Sequence, residues 1–134
     1  MAPIIKHLID QNKKAFDTKY FIESINLSYV LINKAIKQIV KDDLKHEIIE
    51  HRIKTSQLIN HIKKEFDSNP AIKTKLSKKV VKDIELFTTL YKTINKELKY
   101  QYPEKKITET AQLGINCIVM LNTSLLKIKN NKVL

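Results

Sequence analysis

A single glycine, Gly114, and three prolines stand in a chain of 134 residues. These two residue types interrupt helices most strongly, so their scarcity excludes a turn-rich chain and points to long helices. Tryptophan is absent and cysteine occurs once, at Cys117, so no internal disulfide can form. Cys117 lies in a strongly apolar run, where a cysteine usually serves as a small buried hydrophobe. No segment holds about 18 consecutive apolar residues, so no membrane span is expected. The N-terminal MAPIIKHLIDQNKK has no uninterrupted apolar core of signal-peptide length, and a cytoplasmic protein is the expectation.

Arginine is nearly missing as well. Arg52 is the only one, and lysine supplies the rest of the basic residues behind a formal charge of +11. An excess of that size points to a polyanionic partner, nucleic acid or a membrane surface. Phosphate and base recognition favour arginine's planar fork, however, whereas lysine is also the default solubilising residue. Lysine, isoleucine and asparagine together are also what an AT-rich genome produces. A solvated surface and an anion-binding surface therefore both remain open.

What is abundant is isoleucine at helical spacing. The length suits one domain, residues 1–134, with one core. From Tyr20 to Lys41, Ile22, Ile25, Tyr29, Ile32, Ile36 and Ile39 recur at three- and four-residue steps. With Phe21, Ser28, Ala35 and Val40 they fill roughly 140° of the circumference, the inner face of a bundle helix. Leu27, Val30 and Leu31 fall outside that arc and predict a second packing side, with the terminal helix as main partner. Pro3 can open a preceding helix whose apolar side is Ile4, Ile5, Leu8, Ile9 and Phe16. Asp17 or Thr18 is the expected N-cap of the long helix, unless the two run on as one bent helix.

Asp42 and Asp43 end the long helix, and the next is expected from Leu44 to about Phe66. Its apolar side is Leu44, Ile48, Leu58, Ile59, Ile62 and Phe66, with His51 and Thr55 projecting from the same face. Asn69-Pro70 signals a short helix to Leu76. Ser77 then caps a helix to about Tyr100, with Val80, Ile84, Phe87, Tyr91, Ile94 and Leu98 in register. Lys73, Lys75, Lys78, Lys79 and Lys82 surround the connection between these two helices, as a phosphate-binding corner or an ordinary solvated turn. The last helix is expected from near Thr108, with Glu104 and Glu109 at its start and Lys127 and Lys129 at its end, as the helix dipole favours. From Ala111 to Ile128 it is apolar on nearly every side, so it must be central or sit in an oligomer interface. The interface is favoured, with Gly114 and Ser124 permitting close approach. Four or five such helices on short loops give an all-α, antiparallel up-and-down bundle.

Catalytic signatures are scarce. His46-Glu47-Ile48-Ile49-Glu50 is the nearest approach to a zinc-binding His-Glu-x-x-His pattern, and a glutamate replaces its second histidine. No histidine has a glutamate three residues before it, which excludes the di-iron carboxylate pattern. A Gly-rich phosphate loop is impossible with one glycine. No metal or cofactor is therefore expected.

The helix containing SINLSYVLINKAIKQIV and the later helix ending LYKTINKELKY, followed by a final apolar helix, resemble the HEPN superfamily of small helical bundles. The resemblance covers residues 4 to 128 and is architectural. It implies a dimer and, in active members, a metal-independent ribonuclease with an Arg-Asn-x-x-x-His motif; inactive members bind RNA or nucleotides, often beside a nucleotidyltransferase. Carried onto this chain, the motif falls on Ile94-Asn95-Lys96-Glu97-Leu98-Lys99, where only Asn95 matches. Ile94 stands in the arginine position and Lys99 in the histidine position. The only arginine, Arg52, is followed at the required distances by Gln57, Leu58 and Ile59, so the full motif is absent.

The expectation is thus a non-catalytic, HEPN-like homodimer that binds RNA, a nucleotide or a protein partner, as an accessory to a nucleotidyltransferase in one version. The weak candidates for ligand contact are Asn95, Lys99, Lys92, His51 and Arg52. For Asn95 the structural alternative is an amide bonded to nearby backbone. One competing reading is a purely structural module that dimerises through the last helix. Another is an unfamiliar enzyme built around His51, Arg52, Thr55 and Asn95.

Overall fold

The computed structural model describes residues 2–43, 55–97 and 103–133, with side chains described as far as Leu121 in the last helix. These residues form α1 (Ala2–Asp17), α2 (Phe21–Asp43), α3 (Thr55–Glu65), α4 (Pro70–Lys75), α5 (Lys78–Glu97) and α6 (Glu104–Val133). Among the described residues there is no strand, so the chain is an all-α bundle, as its pattern predicts.

α1 and α2 are separate helices joined by a tight turn. The Tyr20 amide donates to the Ala15 carbonyl (2.8 Å) and the Lys19 amide to the Phe16 carbonyl (3.0 Å). This is the six-to-one and five-to-two pair of a Schellman cap, and Lys19 takes the left-handed conformation it requires, with φ 68°. The expected cap at Asp17 or Thr18 is corrected. The Ser24 amide bonds to the Tyr20 carbonyl, so Tyr20 stands at the N-cap position of α2. The Thr18 hydroxyl instead closes α1 by donating to the carbonyls of Lys14 (2.8 Å) and Ala15 (3.2 Å). Phe16 and Phe21 meet edge to face across the turn, with ring centroids 5.4 Å apart.

α2 touches every other helix, and its most extensive contact is with α6. Ile25, Ile32, Ile36 and Ile39 are fully buried along its inner arc. Each such side chain contributes about 1.5–3 kcal/mol relative to exposure. The predicted second side is real for Leu31, which is buried, and partial for Leu27; Val30 stays 45% exposed. Against α1, α2 carries a buried polar cluster. Ser24 Oγ donates to Asn12 Oδ1 (2.6 Å), and Asn12 Nδ2 donates to Ser28 Oγ (2.8 Å). All three residues are buried, and both the oxygen and the nitrogen of the Asn12 side-chain amide have a partner.

α3 lies beside α2 in the same direction. Its first residue, Thr55, bonds to Asn33 and Tyr29, whereas Ile59 and Ile62 reach Ile36 further along. α5 runs back the other way, pairing Tyr91 with Tyr29 and bringing Ile84 to Ile36. The expected helix start at Leu44, and Ile48, lie outside the described residues. Ile36, Ile59, Ile62, Leu76, Val81 and Ile84 line a half-open apolar space of about 10 Å³, scarcely one water in size.

α6 packs against α1, α2, α4 and α5 through Ala111, Gly114, Cys117, Ile118 and Leu121, while Gln112, Asn116, Val119 and Met120 stay exposed. Gly114 faces inward: a Cβ there would lie 2.7 Å from Phe87 Cε1 and 2.8 Å from Ser28 Cβ. The close approach that Gly114 permits is therefore between helices of one chain, not between two chains. The side chain of Ser124 lies outside the described residues. α6 also starts a turn before the expected Thr108. The Ile107 amide bonds to the Pro103 carbonyl, and Thr108 sits one turn in, its hydroxyl donating back to Glu104 (3.0 Å). No helix among the described residues is long and apolar enough to cross a membrane.

Candidate functional site

The α4–α5 corner is built by its two connecting residues. Leu76 is buried and anchors the corner in the core, while Ser77 caps α5. The Ser77 hydroxyl accepts the Val80 amide (3.2 Å) and its carbonyl accepts the Val81 amide (3.2 Å), as predicted. The next two residues are Lys78 and Lys79, and no acidic residue lies in the first turn. A helix N-terminus carries partial positive charge, which carboxylates there would offset and lysines reinforce. Lys73, Lys78, Lys79 and Lys82 are exposed. Among the described residues none of them pairs with a carboxylate; the side chain of Lys75 is outside that set. Asp83, one turn after Lys79, is the nearest acidic residue on α5, and lysines outnumber it at this corner, so the excess positive potential is suited to attracting anions.

The weaker candidates divide. Thr55 is buried where α2 and α3 meet, and its hydroxyl donates to Asn33 Oδ1 (2.7 Å). A threonine has one hydroxyl proton, so in the 3.0 Å contact between Tyr29 and Thr55 the tyrosine is the donor. Tyr29 stacks on Tyr91 with centroids 3.8 Å apart, and Phe87 continues the aromatic row at 6.4 Å. Thr55 is therefore engaged and shielded, unsuited to the nucleophile's part in an enzyme reading. Asn95 follows Tyr91 by one turn and is exposed. Ile94 is a core residue at 1% exposure. A charged side chain there would be expensive to bury. Lys92 is exposed on the same helix. His51, Arg52 and Lys99 lie outside the described residues.

Cys117 is buried between α6 and its neighbours. Desolvation, and secondarily the charge of Asp83, push its thiol up to about 12. A thiol held protonated in this way is not a nucleophile near neutral pH. Among the described residues no group of three or more histidine, cysteine, aspartate or glutamate side chains gathers in a way that would hold a metal ion.

Sequence reasoning missed Asn12, Ser24 and Asn33 as members of buried networks. Their only trace in the sequence is polar residues recurring at helical spacing beside apolar ones. No protein-family model, curated protein or solved structure matches the chain.

Proposed function

We propose that the chain is a non-catalytic, HEPN-like bundle that binds phosphate groups of RNA or a nucleotide, acting in the cytoplasm as an accessory to a partner such as a nucleotidyltransferase. The observation that carries this reading is the exposed set Lys73, Lys78, Lys79 and Lys82 at the positive end of α5, none of them ion-paired with a carboxylate among the described residues. Loss of catalysis is supported by the buried Ile94 and by the absence of the Arg-Asn-x-x-x-His motif. Retention of labelled RNA or nucleotide on a filter at low salt tests the reading. Binding should weaken steeply as salt rises, because lysine–phosphate contacts release counterions. An absence of retention at low salt overturns it.

A second reading, a protein-interaction module that pairs through α6, draws on Val119 and Met120. Both are 47% exposed on a helix of 30 residues. Light scattering at micromolar concentration separates the two oligomeric states, and a strict monomer removes the homodimer.

A further inference from the structure

The positive charge on α5 does not stop at its first turn. At 100° per residue, Lys78, Lys82, Glu85, Thr89, Lys92 and Lys96 follow one another at steps of four and three, within about 80° of the helix circumference. The four lysines and Thr89 are exposed. The one acidic member of the row is neutralised from outside it, since Lys63 of α3 donates to Glu85 Oε2 at 2.7 Å. The opposite face of α5, with Val80, Ile84, Phe87, Tyr91 and Ile94 on or near the core, is already committed to the bundle. A straight cationic row is therefore presented to solvent, with pairs of lysines at its two ends. Lys78 and Lys96 stand 18 positions apart, which is about 27 Å along the helix.

We infer that the outer face of α5 is a track for an extended single-stranded RNA backbone, and that the ligand is a strand long enough to reach both ends rather than a mononucleotide. This rests on the phosphate-binding reading above and specifies its substrate class. A mononucleotide can occupy one lysine pair only. A strand can engage both pairs, passing over Thr89, whose hydroxyl donates to the Glu85 carbonyl (3.0 Å) and is left able to accept from a ribose 2′-hydroxyl. A lipid surface fits less well, because α5 has its apolar face turned into the core and offers Leu86, 51% exposed beside the row, as its one large exposed apolar side chain among the described residues.

The test compares binding of a 20-nucleotide oligouridylate, uridine monophosphate and phosphatidylserine vesicles across a salt series. Four lysine–phosphate contacts on a single strand give a slope of log K against log salt of about −3. The paired variants Lys78→Gln with Lys82→Gln, and Lys92→Gln with Lys96→Gln, should each reduce that slope by about 1.4. Glu85→Gln should tighten oligouridylate binding, because it removes the only carboxylate in the row. Circular dichroism checks that each variant keeps its helix content. If only the Lys78/Lys82 pair alters binding, or the mononucleotide binds as tightly as the oligomer, the track is overturned while phosphate binding stands. Binding to vesicles without binding to the oligomer overturns both, as does an absence of binding to all three probes.

Discussion

A Cβ placed on Gly114 would stand 2.8 Å from both the Cβ and the Oγ of Ser28, so α6 and α2 touch here almost backbone to backbone. The same position faces Phe87, whose Cε1 would be 2.7 Å away and which is fully buried. Neither neighbour can swing aside cheaply: the Ser28 Cβ is fixed to its helix and the Phe87 ring is enclosed. Gly114→Ala gains about 1 kcal/mol of helix propensity and loses more through forced overpacking. The expected net effect is destabilisation of about 1–3 kcal/mol, read as a lower urea midpoint with an unchanged slope.

The buried hydroxyl chain at the start of α3 predicts an asymmetry. Tyr29→Phe removes one hydrogen bond and leaves Thr55 still bonded to Asn33, so the loss should be near 1 kcal/mol. Thr55→Val strips the partner from both Tyr29 and Asn33 and should cost more, about 1–3 kcal/mol. Equal losses in denaturant titrations would contradict the assignment of Thr55 as the shared link.

Lys19 holds the left-handed position of the α1–α2 turn at φ 68°, a conformation that costs a side-chain-bearing residue about 1–2 kcal/mol. Lys19→Gly removes that cost at some loss of unfolded-state entropy. A net gain of about 0.5–1 kcal/mol is expected, seen as a rise of a few degrees in Tm.

At the other helix start, Lys78→Glu should act on stability and binding in opposite directions. A carboxylate in the first turn of α5 is favoured by the helix dipole by about 0.3–1 kcal/mol. It would also reverse a charge in the proposed phosphate surface. Higher Tm together with weaker RNA retention is the expected pair of outcomes, and unchanged retention would detach this lysine from binding.

Burial of Cys117 makes stability sensitive to alkaline pH. Its thiol titrates at about 12 in the folded chain against an ordinary value of 9.0. Above pH 9 the unfolded chain therefore holds fewer protons at this group than the folded chain. The stabilising difference is complete below pH 9 and is lost as pH rises toward 12, by at most about 1.4 kcal/mol per pH unit. Cys117→Ala should flatten this part of the stability profile relative to the parent, measured by denaturant titration at pH 8, 9 and 10.

The helices were legible because their signals are local. Ser77 caps α5 and Asn69-Pro70 opens α4, since both depend on residues within one turn. Where two local signals competed, neighbours decided. Thr18 has good cap chemistry, but its hydroxyl turns back to α1, and Tyr20, after the left-handed Lys19, takes the N-cap position of the next helix. The basic corner could be read from lysine density alone. The neutralisation of Glu85 by Lys63, 22 residues away, is instead a matter of distance across helices.

The sequence by itself determined the all-α class, most helix positions and the central role of α2, because isoleucine periodicity encodes a buried face without reference to any partner. Only the tertiary structure decided that α3 runs beside α2 in the same direction, and that Gly114 serves packing within the chain. It also brought Asn12, Ser24 and Ser28 together into one satisfied cluster. Each of these depends on which faces meet across space, and a helical pattern specifies that a face must be covered without specifying what covers it.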